Sequence, residues 1–327
     1  MEYPGRKTAQ QIRQINEISA PLLFLVSLVA CLLLYTPSAS AAEDIQSRAA
    51  VVMDAETGRV LYAKDAELRL MPASTTKLMT ALLVLENKEL TDIVTVSRRA
   101  ATVAPTVIGL KTGDRVTIGA LLTAALIKSA NDAAVALAEA VAGTEQEFVV
   151  LMNKKASEMG LLNTRFANPN GLPGPGQYIT AYDLAELMRR AIEYPALKEI
   201  LGTPEAEVSI GAGKPILVKN TNQLLFSETS FVWGKTGYTR EAMHCFVSAG
   251  PDDRKIIIAL LGNPVRSRLW KETEDLMALG TRVLNNLDEP VIYVSHAEPE
   301  PEKPTNATYT VKTPAKKTSK KKKQVAL

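Results

Sequence analysis

The segments able to form β-strands stand at the two ends of this chain's body, with a long helix-forming interval between them. Ala49 to Met53 and Arg59 to Lys64 are short β-prone runs around Asp54-Ala-Glu-Thr-Gly58, a turn ending in glycine, and read as a hairpin. Phe231 to Tyr238, Met243 to Ala249 and Lys255 to Leu261 are strand-like, the last two joined by Gly-Pro-Asp-Asp-Arg. The economical solution puts the early hairpin and the late strands in one sheet, with everything between built beside it. The expected class is therefore α/β (α+β): an antiparallel five-stranded sheet flanked by helices, plus a helical lobe.

The interval has its own punctuation. Pro72 to Glu86 reads as a buried helix, nearly continuous in apolar residues after a Ser/Thr start. Ile118 to Gly143 reads as two helical stretches broken around Lys128-Ser-Ala-Asn131. Glu145 to Met159 is amphipathic, with Phe148, Leu151 and Met152 at helical spacing and Gly160 as its stop. Asn168 to Gly176 is loop, and Thr180 caps a helix to about Tyr194. A last amphipathic helix runs from about Ser267 to Leu287. A body of about 245 residues is large enough for one two-lobed unit, here expected over residues 42–290.

Neither end of the chain reads as part of that body. Residues 22–35 form an apolar run preceded by Arg6, Lys7 and Arg13 and followed by Ala39-Ser-Ala41, the three-part layout of a secretory signal peptide over residues 1–41. The run has about fourteen residues, where a spanning helix needs about twenty; an uncleaved anchor is the competing reading. Residues 291–327 are rich in Pro, Thr and Lys without hydrophobic period, and are expected to be a disordered tail. It reads either as a solvated spacer or as an attachment to an anionic membrane or wall surface, worth about 1 kcal/mol per lysine near anionic lipid.

The net charge of +3 hides this division. Residues 302–327 hold eight Lys and one Glu, and residues 1–41 three Lys/Arg and two Glu. Taking these from 38 basic and 35 acidic residues leaves 27 against 32 for residues 42–301. An acidic body disfavours nucleic acid as a partner. Two cysteines and two histidines exclude a disulfide framework and leave too few ligands for a zinc centre, so no metal and no cofactor are expected.

A chain this poor in histidine must activate a nucleophilic serine by other means. A lysine serves if burial and nearby positive charge depress its ammonium. Ser74-Thr-Thr-Lys77 offers that geometry, since positions i and i+3 share a helix face. The alternatives are a helix N-cap at Ser74 and a snorkelling surface lysine at Lys77, although Lys77 runs directly into Leu78-Met-Thr-Ala-Leu-Leu-Val84. Ser129-Ala-Asn131 interrupts an apolar segment and would place a hydroxyl and an amide at a crevice. Lys235-Thr-Gly237 lies in a strand-like run, where glycine admits close approach of a ligand backbone. A second Lys-Thr-Gly at Lys111 to Gly113, followed by Asp114, reads as a turn. His244-Cys245 suggests a Cys/His pair, but neighbours in a strand face opposite ways.

Ser-x-x-Lys, Ser-x-Asn and Lys-Thr-Gly in this order resemble the signature of the penicillin-binding proteins and serine β-lactamases. With Ile127 to Ala134, Asn168-Pro-Asn-Gly-Leu172 and Gly234 to Thr239 followed by Glu241-Ala242, the chain from about Ala49 to Leu287 resembles the low-molecular-weight D-alanyl-D-alanine carboxypeptidases. The resemblance implies a β-lactamase/transpeptidase-like fold and an exported enzyme acting on peptidoglycan stem peptides ending in D-Ala-D-Ala, with β-lactams as covalent inhibitors. It implies Ser74 as nucleophile, Lys77 as base, Ser129 as proton relay and Asn131 as the holder of Lys77 and the substrate amide. Lys235 and Thr236 would bind the terminal carboxylate, with Arg268 in support. Gly237 would line the substrate strand, and the amides of Ser74 and Tyr238 would form an oxyanion hole. A D,D-endopeptidase and an inactive wall-binding scaffold are the alternative readings. A class A β-lactamase is disfavoured, because no Glu-x-x-x-Asn stands between the second and third motifs. Members of this family often carry a further all-β domain and an anchoring helix, neither of which is expected from the residues after the body.

Overall fold

Every side chain of β1 (Ala49–Asp54) is buried, which requires cover on both faces of the sheet that holds it. The computed structural model describes residues 45–294 except 212, 228–231 and 251–254. The signal peptide expected over residues 1–41, and the tail from residue 295 onward, lie outside the described residues. β1 turns into β2 (Val60–Lys64) on the expected turn: the Asp54 carboxylate accepts from Glu56 N at 3.0 Å and Thr57 Oγ1 at 2.6 Å, and Gly58 takes the left-handed φ of +74° that closes it.

The chain then leaves the sheet. It builds α1 (Lys77–Asn87), β3 (Ile93–Thr95), α2 (Arg98–Ala101), β4 (Arg115–Thr117), α3 (Ile118–Thr123), α4 (Asn131–Ala142) and α5 (Glu145–Glu158). After the loop through Asn168 come α6 (Ala181–Ala191), α7 (Pro195–Leu201), β5 (Glu205–Val208) and β6 (Ile216–Lys219). It returns as β7 (Trp233–Thr239), β8 (Met243–Ala249) and β9 (Ile256–Asn263), and finishes with α8 (Arg266–Leu284) and β10 (Val291–Tyr293). The strand order is β10-β2-β1-β9-β8-β7, so the early hairpin does pair with the late strands, through β1 against β9.

Two expectations need correction. The sheet has six strands, not five: Val291 to Tyr293, assigned above to the tail, pair in parallel with Tyr62 to Lys64. Three residues after Asp288-Glu-Pro290 are too few for a two-residue period to register. The helix expected over Pro72 to Glu86 begins instead as a 3-10 turn at Ala73–Thr76 and becomes α-helical at Lys77. The break expected around Lys128 to Asn131 is present. A π-turn at Ala124–Lys128 ends on Ser129, which sits at φ +64° before α4 begins. The helix capped by Thr180 stops at Ala191, because Pro195 opens α7.

Alternation along β1 divides the core. Ala49, Val51 and Met53 join Cys245, Val247, Ile257, Ala259 and Leu261 on the face covered by α6 and the helical interval. Ala50 and Val52 join Leu61, Phe246, Ile258 and Leu260 under Leu269, Leu276 and Met277 of α8. Each Val, Leu, Ile, Phe or Met side chain among them contributes about 1.5–3 kcal/mol when fully buried. The first face continues without interruption through α1, α3, α4 and α5, so the helical interval shares its core with the sheet.

α8 approaches the sheet at Gly280, where a Cβ would lie 2.7 Å from Val52 Cγ1. Ala is favoured over Gly in a helix by about 1 kcal/mol, whereas overpacking a core costs about 1–3 kcal/mol. Gly280→Ala is therefore expected to lower the urea midpoint, and Val52→Ala in the same chain to restore part of it. A higher midpoint for the single variant would contradict this packing.

Candidate active site

Ser74 stands half-buried on the 3-10 turn, and Lys77 is the first residue of α1, only 1% exposed. One turn brings Lys77 Nζ to 2.9 Å from Ser74 Oγ. The same nitrogen lies 2.8 Å from Asn131 Oδ1 and 2.7 Å from the Asn170 carbonyl. Burial pushes the Lys77 ammonium well below its ordinary value, the positive charge of Lys235 pushes it further, and Asp132 opposes both. A neutral amine has two N–H bonds and one lone pair. Asn131 Oδ1 and the Asn170 carbonyl can only accept, so they take the two N–H bonds. In that neutral form the lone pair is left for the Ser74 hydroxyl, whereas an ammonium would donate to all three oxygens. The other acceptor near that hydroxyl, the Asn170 carbonyl, is at 3.5 Å. The alternatives weighed above, an N-cap serine and a snorkelling lysine, do not describe these contacts: the 3-10 turn has no side-chain cap and the lysine head is inside.

Asn131 opens α4 and is 3% exposed. Its Nδ2 donates to the Ala104 carbonyl at 3.0 Å, which turns Oδ1 toward Lys77. Ser129 projects from the left-handed corner between the π-turn and α4, and its Oγ accepts from Lys235 Nζ at 3.0 Å. Lys235 is wholly buried, and burial brings its ammonium down to about 7. Its Nζ also donates to the Thr236 carbonyl at 2.9 Å. Thr236 Oγ1 and Thr221 Oγ1 share a hydrogen bond of 2.6 Å. Thr221 was not foreseen. It follows β6, and a lone threonine that far from any motif carries no sequence signal.

β7 is the edge strand of the sheet, paired with β8 on one side only. Its open side lies against the serine turn: a Cβ at Gly237 would stand 2.9 Å from Ser74 N and 3.1 Å from the Pro72 carbonyl. Glycine is thus required where strand and turn touch, next to the two amides implicated above. The loop from Asn168 to Leu172 closes the opposite side. Thr80 Oγ1 donates to the Pro169 carbonyl at 2.6 Å, and Gly171, at φ +81°, comes so near that a Cβ would sit 1.8 Å from the Ala73 carbonyl. Asn168 braces the loop by accepting from Gly171 N at 2.7 Å and donating to the Leu172 carbonyl at 2.7 Å. The backbone of Asn170 is therefore part of the site, although the resemblance supplied the loop without a task for it.

A cleft of about 540 Å³ is bordered by Ser74, Ser129, Thr236, Gly237 and Tyr238. Its charged lining is basic: Lys128, Lys219 and Arg266. Arg266 rather than Arg268 borders it, Arg268 being half-buried one step further along α8. Tyr238, 61% exposed, stacks on His244 with ring centroids 4.5 Å apart. The alternation expected to separate His244 from Cys245 is interrupted by a register shift between His244 and Phe246, and both residues border the cleft. Burial pushes the Cys245 thiol up to about 12, so it is protonated and not a nucleophile. The other Lys-Thr-Gly is a turn, as read: Lys111 N donates to Asp114 Oδ2 at 2.7 Å and Gly113 lies at φ +90°.

The family model described as D-alanyl-D-alanine carboxypeptidase matches residues 36–264. The carboxypeptidase DacF of Bacillus subtilis is 37% identical over 243 residues, covering 70% of this chain and 62% of that protein, so the chain spans about three fifths of that relative's length. DacC of Escherichia coli is 37% identical over 287 residues, 82% of this chain and 71% of its own. The crystal structure of penicillin binding protein 6B from Escherichia coli superposes with a TM-score of 0.68 at 32% identity, covering 76% of this chain and 80% of that one. The matched span contains every residue just described from the serine turn to β7, and the chain belongs to the D-alanyl-D-alanine carboxypeptidase family of peptidases.

Proposed function

We propose that this protein is an exported serine D-alanyl-D-alanine carboxypeptidase, which removes the terminal D-alanine of peptidoglycan stem peptides through an acyl-enzyme and is acylated by penicillin. The observation that carries the reading is the 2.9 Å contact between Ser74 Oγ and a buried lysine nitrogen that also lies 2.8 Å from Asn131 Oδ1 and 2.7 Å from the Asn170 carbonyl. Ser74 Oγ attacks the carbonyl carbon between the two D-alanines while its proton passes to Lys77 Nζ. The amides of Ser74 and Tyr238 receive the developing oxyanion, each such donor being worth about 3 kcal/mol. Lys235 and Thr236 bind the substrate's terminal carboxylate. Ser129, 3.0 Å from Lys235 Nζ, relays a proton to the leaving D-alanine nitrogen. Water then attacks the ester carbonyl, and Ser74 recovers its hydrogen.

The apolar run over residues 22–35 and the small residues before Ala42 support export, with residues 42–290 as the catalytic body. Among the described residues no helix is long and apolar enough to cross a membrane. The eight lysines after residue 302 suit an anionic membrane or wall surface. Deleting residues 302–327 is expected to leave D-alanine release from a soluble peptide unchanged and to lower retention on anionic vesicles at low salt. Equal retention would refute the attachment.

Ser74→Ala is expected to abolish both the covalent benzylpenicillin adduct, read by intact mass, and D-alanine release, with a loss of roughly 10⁴-fold or more. Persistence of either in the variant would overturn the assignment. Cleavage of cross-linked dimers without D-alanine release from a monomeric pentapeptide would convert the reading to an endopeptidase.

The two lysines fix the pH dependence. Lys77 must be neutral to accept a proton, so kcat rises with pH through its depressed value, well below the ordinary 10.5. Lys235 must be charged to hold a carboxylate, so KM rises as pH climbs past about 7 in the free enzyme. A kcat that rises only near 10.5 would remove Lys77 as the base.

A further inference from the structure

Asp132 follows Asn131 in the first turn of α4 and is 1% exposed. A buried carboxylate is costly unless its oxygens are satisfied, and this one is satisfied by backbone alone. Its Oδ2 accepts from Ile108 N at 3.0 Å, Gly109 N at 2.9 Å and Leu110 N at 3.1 Å, and its Oδ1 from Ala133 N at 2.9 Å. Three of those amides belong to the segment leading from α2 to β4, not to the helix that Asp132 would be expected to cap. The same segment makes both of the other bonds that orient Asn131: the Ala104 carbonyl accepts from its side-chain amide at 3.0 Å, and the Thr106 carbonyl from its backbone N–H at 2.7 Å. Thr106 also borders the cleft. The carboxylate is thus the clamp between the segment that aims Asn131 and the helix that carries it.

We propose that Asp132 is a positioning residue, whose buried carboxylate holds residues 104–110 against the start of α4 so that the Asn131 amide presents its oxygen to Lys77. The inference rests on the reading of Lys77 as the base. Without the clamp the Ala104 carbonyl drifts, the Asn131 amide is free to rotate, and its NH₂ group can face the lysine. A neutral lysine would then lose one of its two acceptors, and its lone pair would no longer be confined to the Ser74 hydroxyl.

The charged groups acting on Lys77 are Lys235 from β7, which opposes its ammonium, and Asp132 from α4, which favours it. The serine turn and the Asn168 loop face it with a hydroxyl and a carbonyl. Removing the Asp132 charge while keeping its shape therefore has a signed consequence. Lys77 gives up its proton more readily, and the acid limb of acylation moves to lower pH, even as the rate falls.

The test is acylation of the full-length chain by benzylpenicillin across pH. Asp132→Asn is expected to slow acylation at the plateau by about 10- to 100-fold and to shift the acid limb downward, with the Ser74 adduct still formed. A role confined to stabilising α4 would lower the melting temperature and leave the plateau rate of the folded protein in place. A folded Asp132→Asn protein with an unchanged plateau overturns the proposal, whether or not its limb moves. Should that variant not fold, amide hydrogen exchange of the unaltered protein decides: protection of Ile108, Gly109 and Leu110 matching that of α4 supports the clamp, and rapid exchange overturns it. Failure of the wild-type chain to acylate at all would instead remove the reading of Lys77 on which the inference stands.

Discussion

A lysine side chain has been taken out of water at Lys77, and much of the architecture around it follows from making that tolerable. Burial of an ammonium in such a place is costly, and it pushes the Lys77 ammonium well below its ordinary value, favouring the neutral amine. The neutral amine still has two N–H bonds to satisfy. The acceptors come from chain segments far apart in sequence, Asn131 at the start of α4 and Asn170 in the loop before α6. Fixing both against α1 requires the helical interval to close as one unit, and the shared apolar core of α1, α4, α5 and α6 supplies that closure.

The sheet contributes through its edge. β7 sits at the end of the strand order, so one side of its backbone has no strand partner and faces the serine turn. Three glycines let that edge and its surroundings come together. Gly237 admits the serine turn, and Gly171 admits the opposite loop. Gly234 leaves room for the ring of Phe246, which a Cβ would meet at 2.6 Å. Each of these glycines stands where a Cβ would collide with a neighbouring segment. The left-handed residues Ala73 and Ser129 mark the two corners from which the serines project, conformations that cost a side-chain-bearing residue free energy and persist because packing enforces them.

What the sequence made legible follows from how far apart the cooperating residues lie. Ser74 and Lys77 share a helical turn, so their spacing alone placed them together. The apolar run after Lys77 announced its burial. Ser129 and Asn131 were visible as polar interruptions of an apolar stretch, and Lys235 to Gly237 as a glycine-bearing strand. The five principal strands registered for the same reason, each being long enough to show its period. Contributions made by backbone were invisible. The Asn170 carbonyl, the Ala104 carbonyl and the amides of Ile108 to Leu110 carry no side-chain signature. Thr221 and β10 were missed because a single hydroxyl and a three-residue strand fall below what pattern can resolve. His244 and Cys245 misled because a bulge breaks the alternation used to separate them.

The pairing of two buried lysines has one more consequence for the proposed reaction. Lys235 reaches the site from the sheet and Lys77 from the helical side, and the charge on the first disfavours a proton on the second. With Lys235 near 7, its charge is only partly present at neutral pH. A carboxylate arriving beside it favours the ammonium, since an opposite charge at close range stabilises the charged form. The carboxylate brings its own negative charge, so the pair it forms with Lys235 is close to neutral, and burial remains the main influence holding the Lys77 ammonium down. Under the reaction proposed above, Lys235 therefore recognises the end of the substrate from the sheet side, while the basicity of Lys77 is set mainly by its own burial.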